Sequence, residues 1–144
     1  MKKAILIIFA LLIILAIFDV QLYAQKFKII VHETNPISSM TRAEVSRIFL
    51  KKTTKLNGTK ALPVDLVSNN PVRQSFSRYI HRRPFSAIKA YWQQQIFSGR
   101  GVPPPEKDSD RAVVFYVWGN PGAIGYVSAS AKTEGVKILK ITEE

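Results

Sequence analysis

Residues 62–76 read Leu62-Pro63-Val64-Asp65-Leu66-Val67-Ser68-Asn69-Asn70-Pro71-Val72-Arg73-Gln74-Ser75-Phe76. Leu62, Val64 and Leu66 form a strand-like apolar run, Ser68-Asn69-Asn70 a short polar loop, and Pro71 fits the first position of a helix. Strand, loop and helix in that order make anion-binding geometry. The first helical turn has N–H groups without intrahelical partners and lies at the positive end of the macrodipole. The chain also partly plugs this site. Asn70 is an N-cap residue whose side chain can take the N–H of Val72 or Arg73, and Pro71 has no N–H. An anion held here would meet Ser68, Asn69, Asn70, the Val72 N–H and Arg73. Without an anion, Arg73 reads as an exposed cation in a first turn, a slightly unfavourable place for positive charge.

Upstream, Phe27, Ile29 and Val31 predict a strand, and Asn35-Pro36 a turn. Thr41 and Glu44 form a capping box, with Met40 and Val45 as its hydrophobic staple and Val45, Ile48 and Phe49 as the buried stripe of the helix. Asn57-Gly58 marks a turn before the strand over 62–67. Downstream, Val72, Phe76, Tyr79 and Ile80 share one face of the Pro71 helix, and Arg73, Arg78, Arg82 and Arg83 make it basic. A helix after Pro84 carries Ile88, Tyr91, Trp92 and Ile96 as core and ends near Ser98-Gly99. Residues 99–109, with Pro103-Pro104-Pro105, predict an exposed connector. Asp108 or Asp110 caps a helix reaching Trp118, with Val113, Val114, Val117 and Trp118 inward. Strands follow over 123–127 and 136–141, giving the order β-α-β-α-α-α-β-β without internal repeat.

The N-terminus, with Lys2-Lys3, an apolar run from Ala4 to Phe18 and Ala24 before Gln25, reads as a secretory signal over 1–24. An uncleaved membrane anchor is the alternative, and the only route to the membrane in this reading, although the run is shorter than the ~20 residues of a span. Absence of cysteine excludes a lipoprotein anchor and disulfide staples. Residues 25–144 suffice for one domain and one core, in a periplasmic or otherwise extracytoplasmic location. They hold nineteen Lys and Arg against nine Asp and Glu, a net of +10. With export, nucleic acid gives way to lipid headgroups, acidic cell-wall polymers, acidic proteins or small anions as the surroundings that this charge suits.

The chemistry of an enzyme is missing. His32 and His81 have no partners at metal-ligand spacing, and there is no P-loop, dinucleotide fingerprint or Gly-x-Ser-x-Gly elbow. Glu33, Glu44, Asp65 and Glu106 are scattered, so a catalytic carboxylate pair requires the tertiary fold to bring two together. Neither metal nor organic cofactor is expected.

Three segments carry a resemblance. They are 31–50, from Val31-His32-Glu33-Thr34-Asn35-Pro36 to Arg47-Ile48-Phe49-Leu50; 63–76, from Pro63-Val64-Asp65-Leu66 to Arg73-Gln74-Ser75-Phe76; and Asn120-Pro121-Gly122-Ala123-Ile124-Gly125-Tyr126-Val127. In order and spacing the chain resembles the second lobe of phosphate-type solute-binding proteins of ABC importers. The resemblance implies an α/β fold, a single lobe of a type II periplasmic-binding-protein architecture with a mixed sheet flanked by helices. In that family two lobes close on the anion. The second supplies Ser-Gly-Thr followed by an arginine, with another arginine four residues before the serine. Aligned on Arg73 and Phe76, those positions hold Asn70, Pro71, Val72 and Leu66, so only the helix arginine survives. Charge-assisted hydrogen bonds are each worth about 1.5–3 kcal/mol, so these losses weaken anion binding by orders of magnitude.

Two functions follow as expectations. One is a single-lobe module binding phosphate or another small anion weakly, within a homodimer or beside a partner, since small-molecule sites enclose most of their ligand. The other is an interaction or structural subunit of an envelope assembly that kept the fold and lost the ligand.

Overall fold

A computed structural model of the chain describes residues 1–3 and 26–143, so all but the first three residues of the signal or anchor read over 1–24 lie outside the described residues. No helix among the described residues is long and apolar enough to cross a membrane. Strand β1 (Phe27–His32) lies at the centre of a five-stranded sheet, antiparallel to β8 (Ala123–Ser128) on one side and β9 (Val136–Thr142) on the other. The order continues outward to β2 (Ser39–Thr41), parallel to β9, and β5 (Leu62–Pro63), parallel to β8. Ile29, Ile30 and Val31 are buried in succession, because a central strand covered on both faces has no solvent side.

The two faces are set by consecutive residues of β8. Tyr126 stacks on Phe76 of helix α2 (Pro71–Phe76), with centroids 3.8 Å apart and rings 7° from parallel. Gly125 points the other way, toward helix α4 (Asp110–Trp118), where a Cβ would come within 2.7 Å of Val113 and 2.9 Å of Val64. Adjacent strand residues face opposite sides, so α2 and α4 sandwich the sheet. Phe27, Phe49, Phe76 and Tyr126 form an aromatic cluster on the α2 side.

Local signals set several boundaries as expected. Thr41 and Glu44 form the capping box of α1 (Arg42–Phe49), with Val45, Ile48 and Phe49 buried. Asn57 and Gly58 both have positive φ and join the hairpin β3 (Lys55–Leu56) and β4 (Thr59–Lys60). Helix α3 (Phe85–Phe97) ends before Gly99, whose φ is +70°.

Other boundaries differ. The strand expected over 62–67 is divided between two sheets: β5 joins the main sheet, and β6 (Asp65–Leu66) pairs with β7 (Glu106–Lys107) inside the proline-containing stretch read as a connector. Pro63 fits because the N–H groups of Leu62 and Val64 donate to the carbonyls of Gly122 and Ile124, so the ladder of this edge strand needs no N–H from position 63. β2 was not expected, since three residues with mixed exposure carry no periodic signal. Helix α2 passes into a π-helical turn, Ser77–His81, that closes on left-handed Arg82. The cap of α4 is Ser109 rather than Asp108 or Asp110. Asp110 instead accepts from the Ser128 N–H at 3.0 Å and from its hydroxyl. Ile96 and Trp118, expected inside, are 53 % and 57 % exposed, whereas Ile88, Trp92, Val113 and Val117 are buried.

Candidate functional site

The strand segments, loop and helix over 62–76 form, and Asn70 and Arg73 are engaged by the chain itself while Ser68 and Asn69 stay exposed. Asn70 caps α2 by accepting the Val72 N–H at 2.9 Å, and the Arg73 N–H reaches the Asn70 carbonyl at 3.1 Å. Ser68 and Asn69 are exposed, and the Ser68 carbonyl accepts from the Gln74 side chain at 3.3 Å. Of the five residues read as anion contacts, Asn70 and Val72 are thus engaged with each other.

Arg73 departs from the exposed cation expected in a first turn: it is 5 % exposed. Its Nη1 donates to the Leu66 carbonyl at 2.8 Å and to the Glu106 carboxylate. Nη2 donates to Asp65 Oδ2 at 3.4 Å, and the guanidinium lies 4.6 Å from the Phe85 ring centroid. The topology explains this convergence. β6 and β7 run parallel with Asp65 opposite Glu106, and α2 returns over β6, so one guanidinium spans two carboxylates on neighbouring strands. The fold thereby brings together two of the four scattered acids, but around an arginine.

The far side of Asp65 is closed as well. Tyr126 donates its hydroxyl to Asp65 Oδ1 at 2.9 Å and accepts the Leu66 N–H at 3.3 Å. Burial pushes the Asp65 carboxyl up to about 6, against the opposing pull of Arg73 and the Tyr126 hydrogen bond, with Glu106 adding to the rise. For Arg73 burial works against the charge, yet Asp65 and Glu106 outweigh it and hold the guanidinium above its usual value. Burial, with Asp65 adding, keeps the Tyr126 phenol far above its ordinary range. The directions agree on a charged arginine facing one carboxylate that burial resists ionising.

His81, in the π-helical turn, bonds Ser46 at 2.7 Å, and burial followed by the Arg83, Arg73 and Lys52 charges lowers it to about 4. His32, the last residue of β1, bonds Thr34 at 2.8 Å in an exposed position.

Between Asp65, Arg73, Phe76 and Trp92 remain only about 10 Å³ of free space, roughly one water and far less than an oxyanion needs. Outside it runs a shallow groove of about 240 Å³, bordered by Ser68, Lys89, Gln93, Pro103 and Glu106. A larger groove, about 620 Å³, lies elsewhere along α4, where exposed Phe115 and Trp118 stack at 6.0 Å. Arg73 was legible as a candidate and Asp65 and Glu106 only as two of four scattered acids, whereas Tyr126 carried no signal of a role beside them.

No family model and no curated protein matches the chain. Solved structures do. A phosphate-bound structure assigned as a phosphate ABC transporter substrate-binding protein, from Clostridium perfringens, superposes with a TM-score of 0.65 at 21 % identity, over 81 % of this chain and 44 % of that one. An ABC-type phosphate transport receptor from Vibrio cholerae gives 0.64 at 19 %, over 81 % and 46 %. PstS from Borrelia burgdorferi gives 0.55 at 14 %, over 81 % and 47 %. The chain therefore spans less than half the length of these structures. None of these neighbours is named as an enzyme. What the likenesses establish is the fold: the chain is built as one lobe of a periplasmic-binding-protein architecture, the lobe shape found in phosphate-transport receptors.

Proposed function

We propose that this chain is an exported interaction module of the cell envelope, built on a solute-binding lobe whose strand-to-helix site is filled by the chain's own carboxylates. The observation that carries this reading is the Arg73 cluster. Its guanidinium donates to Glu106, Asp65 and the Leu66 carbonyl and is 5 % exposed, so three of its five N–H are taken and two carboxylates already neutralise the charge that a free anion would meet. Pro71 supplies no N–H, and the Val72 N–H is taken by Asn70. Export is inferred from the signal-like sequence of residues 1–24, and the net charge of the remainder suits anionic surroundings there. Weak binding of phosphate is the second reading, favoured by Ser68 and Lys89 bordering the groove beside Arg73.

The deciding experiment is thermal unfolding across phosphate and sulfate titrations at constant ionic strength, with mass in solution measured alongside. A midpoint unaffected by either anion is expected. A saturable rise specific to one anion overturns the interaction-module reading in favour of an anion-binding module.

A further inference from the structure

Between Glu44 and Glu106 the sequence contains eleven Lys and Arg and a single acid, Asp65. Asp65 is buried against Arg73, and the other ten cations, from Arg47 to Arg100, are exposed. The exposed side chains of this segment thus carry positive charge with no acid of the segment to oppose it.

Within it, the turn closing α3 projects apolar side chains. Phe97 is 96 % exposed, Val102 62 % and Ile96 53 %. The turn is held by the Gly99 N–H on Ile96, the Arg100 N–H on Gln95 and the left-handed φ of Gly99, so Phe97 stands out from ordered backbone. Cations ring it. Lys89, Gln93 and Ile96 follow one another at helical spacing and border the same groove as Pro103. Lys51 reaches the Pro103 carbonyl at 3.5 Å, Lys52 lies 5.7 Å above the Tyr91 ring, and Arg100 sits in the turn itself. None of these four cations is in a salt bridge among the described residues. The nearby carboxylate, Glu106, is held by Arg73.

We propose that this turn is a peripheral membrane contact, in which Phe97, Ile96 and Val102 enter the acyl boundary of an anionic phospholipid surface. Lys51, Lys52, Lys89 and Arg100 then lie among the lipid phosphates. The chemistry matches on both counts: apolar tips surrounded by long cationic side chains suit an interface that is apolar below and anionic above. An aromatic that anchors a protein partner fills a desolvated pocket and needs the partner to wrap it. A bilayer requires only a projecting tip. Lys89 borders the groove beside Arg73 as well, whereas Phe97 and Arg100 do not, so quenching at position 97 and the Arg100 variant report on the membrane contact independently of the anion titration.

The test uses the full chain carrying Phe97→Trp, mixed with vesicles whose phospholipids bear brominated acyl chains. An apolar N-terminal segment retained on the chain would tether it to any vesicle, so quenching of the introduced indole is read against the unsubstituted chain, which contributes the Trp92 and Trp118 background. Additional quenching is expected with phosphatidylglycerol and not with phosphatidylcholine. Replacing Lys89 or Arg100 by Gln is expected to raise the lipid concentration for half-maximal quenching roughly fivefold each at low salt. Absence of extra quenching with phosphatidylglycerol, or equal quenching in both lipids, overturns the proposal. A soluble acidic peptide that shields the indole while lipid does not quench it assigns the surface to an acidic protein instead, and overturns it too.

Discussion

Glu106 and Asp65 face each other across β6 and β7 and share the guanidinium of Arg73, so the residue placed to meet an anion from outside meets two from within. The arrangement satisfies the cation and unites three segments: the strand at 65–66, the first turn of α2 and the stretch after the proline run.

The two carboxylates are expected to differ in weight. Arg73→Met leaves Asp65 buried without its counter-ion and is expected to cost about 3 kcal/mol. Glu106→Gln removes a partner whose side chain is 42 % exposed and is expected to cost less than about 1 kcal/mol. Chemical denaturation of both variants at neutral pH measures the difference.

Two buried groups titrate in opposition. Asp65 has a folded value of about 6, above the ordinary carboxylate range, so the folded state binds the extra proton, and this contribution falls as pH rises from about 4 to 6. His81 is lowered to about 4, so the folded state binds less proton, and its contribution is lost as pH falls from about 6.5 to 4. Each change amounts to ~3 kcal/mol, so they largely cancel. His81→Gln is expected to expose the Asp65 slope, with stability decreasing toward pH 6, and Asp65→Asn the opposite slope. Unfolding midpoints at half-unit intervals between pH 4 and 7 test both signs.

Tyr126→Phe retains the stack on Phe76 while removing the hydroxyl that donates to Asp65 and accepts the Leu66 N–H. A loss of about 1–3 kcal/mol is expected, from a buried carboxylate and a buried N–H left short of partners. The Asp65 titration should also move upward in the variant, which carboxyl-resolved NMR reads directly.

Gly125→Ala tests the packing of α4 on the sheet. The new methyl meets Val113 at 2.7 Å and Val64 at 2.9 Å, with Val117 at 3.3 Å behind. Overpacking of this kind costs about 1–3 kcal/mol. Val113→Ala in the same chain is expected to recover part of it by making room, which a double-mutant cycle on unfolding free energies would show.

Signals confined to a few neighbouring residues were legible in the sequence: the Thr41–Glu44 capping box, the Asn57-Gly58 turn (though not the two short strands it joins), the Asn70-Pro71 helix start, and the strands β1, β8 and β9. Their physics is local, since a cap or a turn needs only the backbone it sits on. The resemblance of three spaced segments likewise pointed to the lobe fold. Tertiary structure alone decided where charge goes. No period places Glu106 beside Arg73 or turns that arginine inward, because the pairing depends on β6 leaving the main sheet for β7 and on Tyr126 closing the far side. Spacing predicted Ile96 and Trp118 inside, yet which part of a helical stripe is covered depends on how far the neighbouring elements extend. Local signals marked the helices, the main strands and the arginine, and the packing of distant strands determined what that arginine holds.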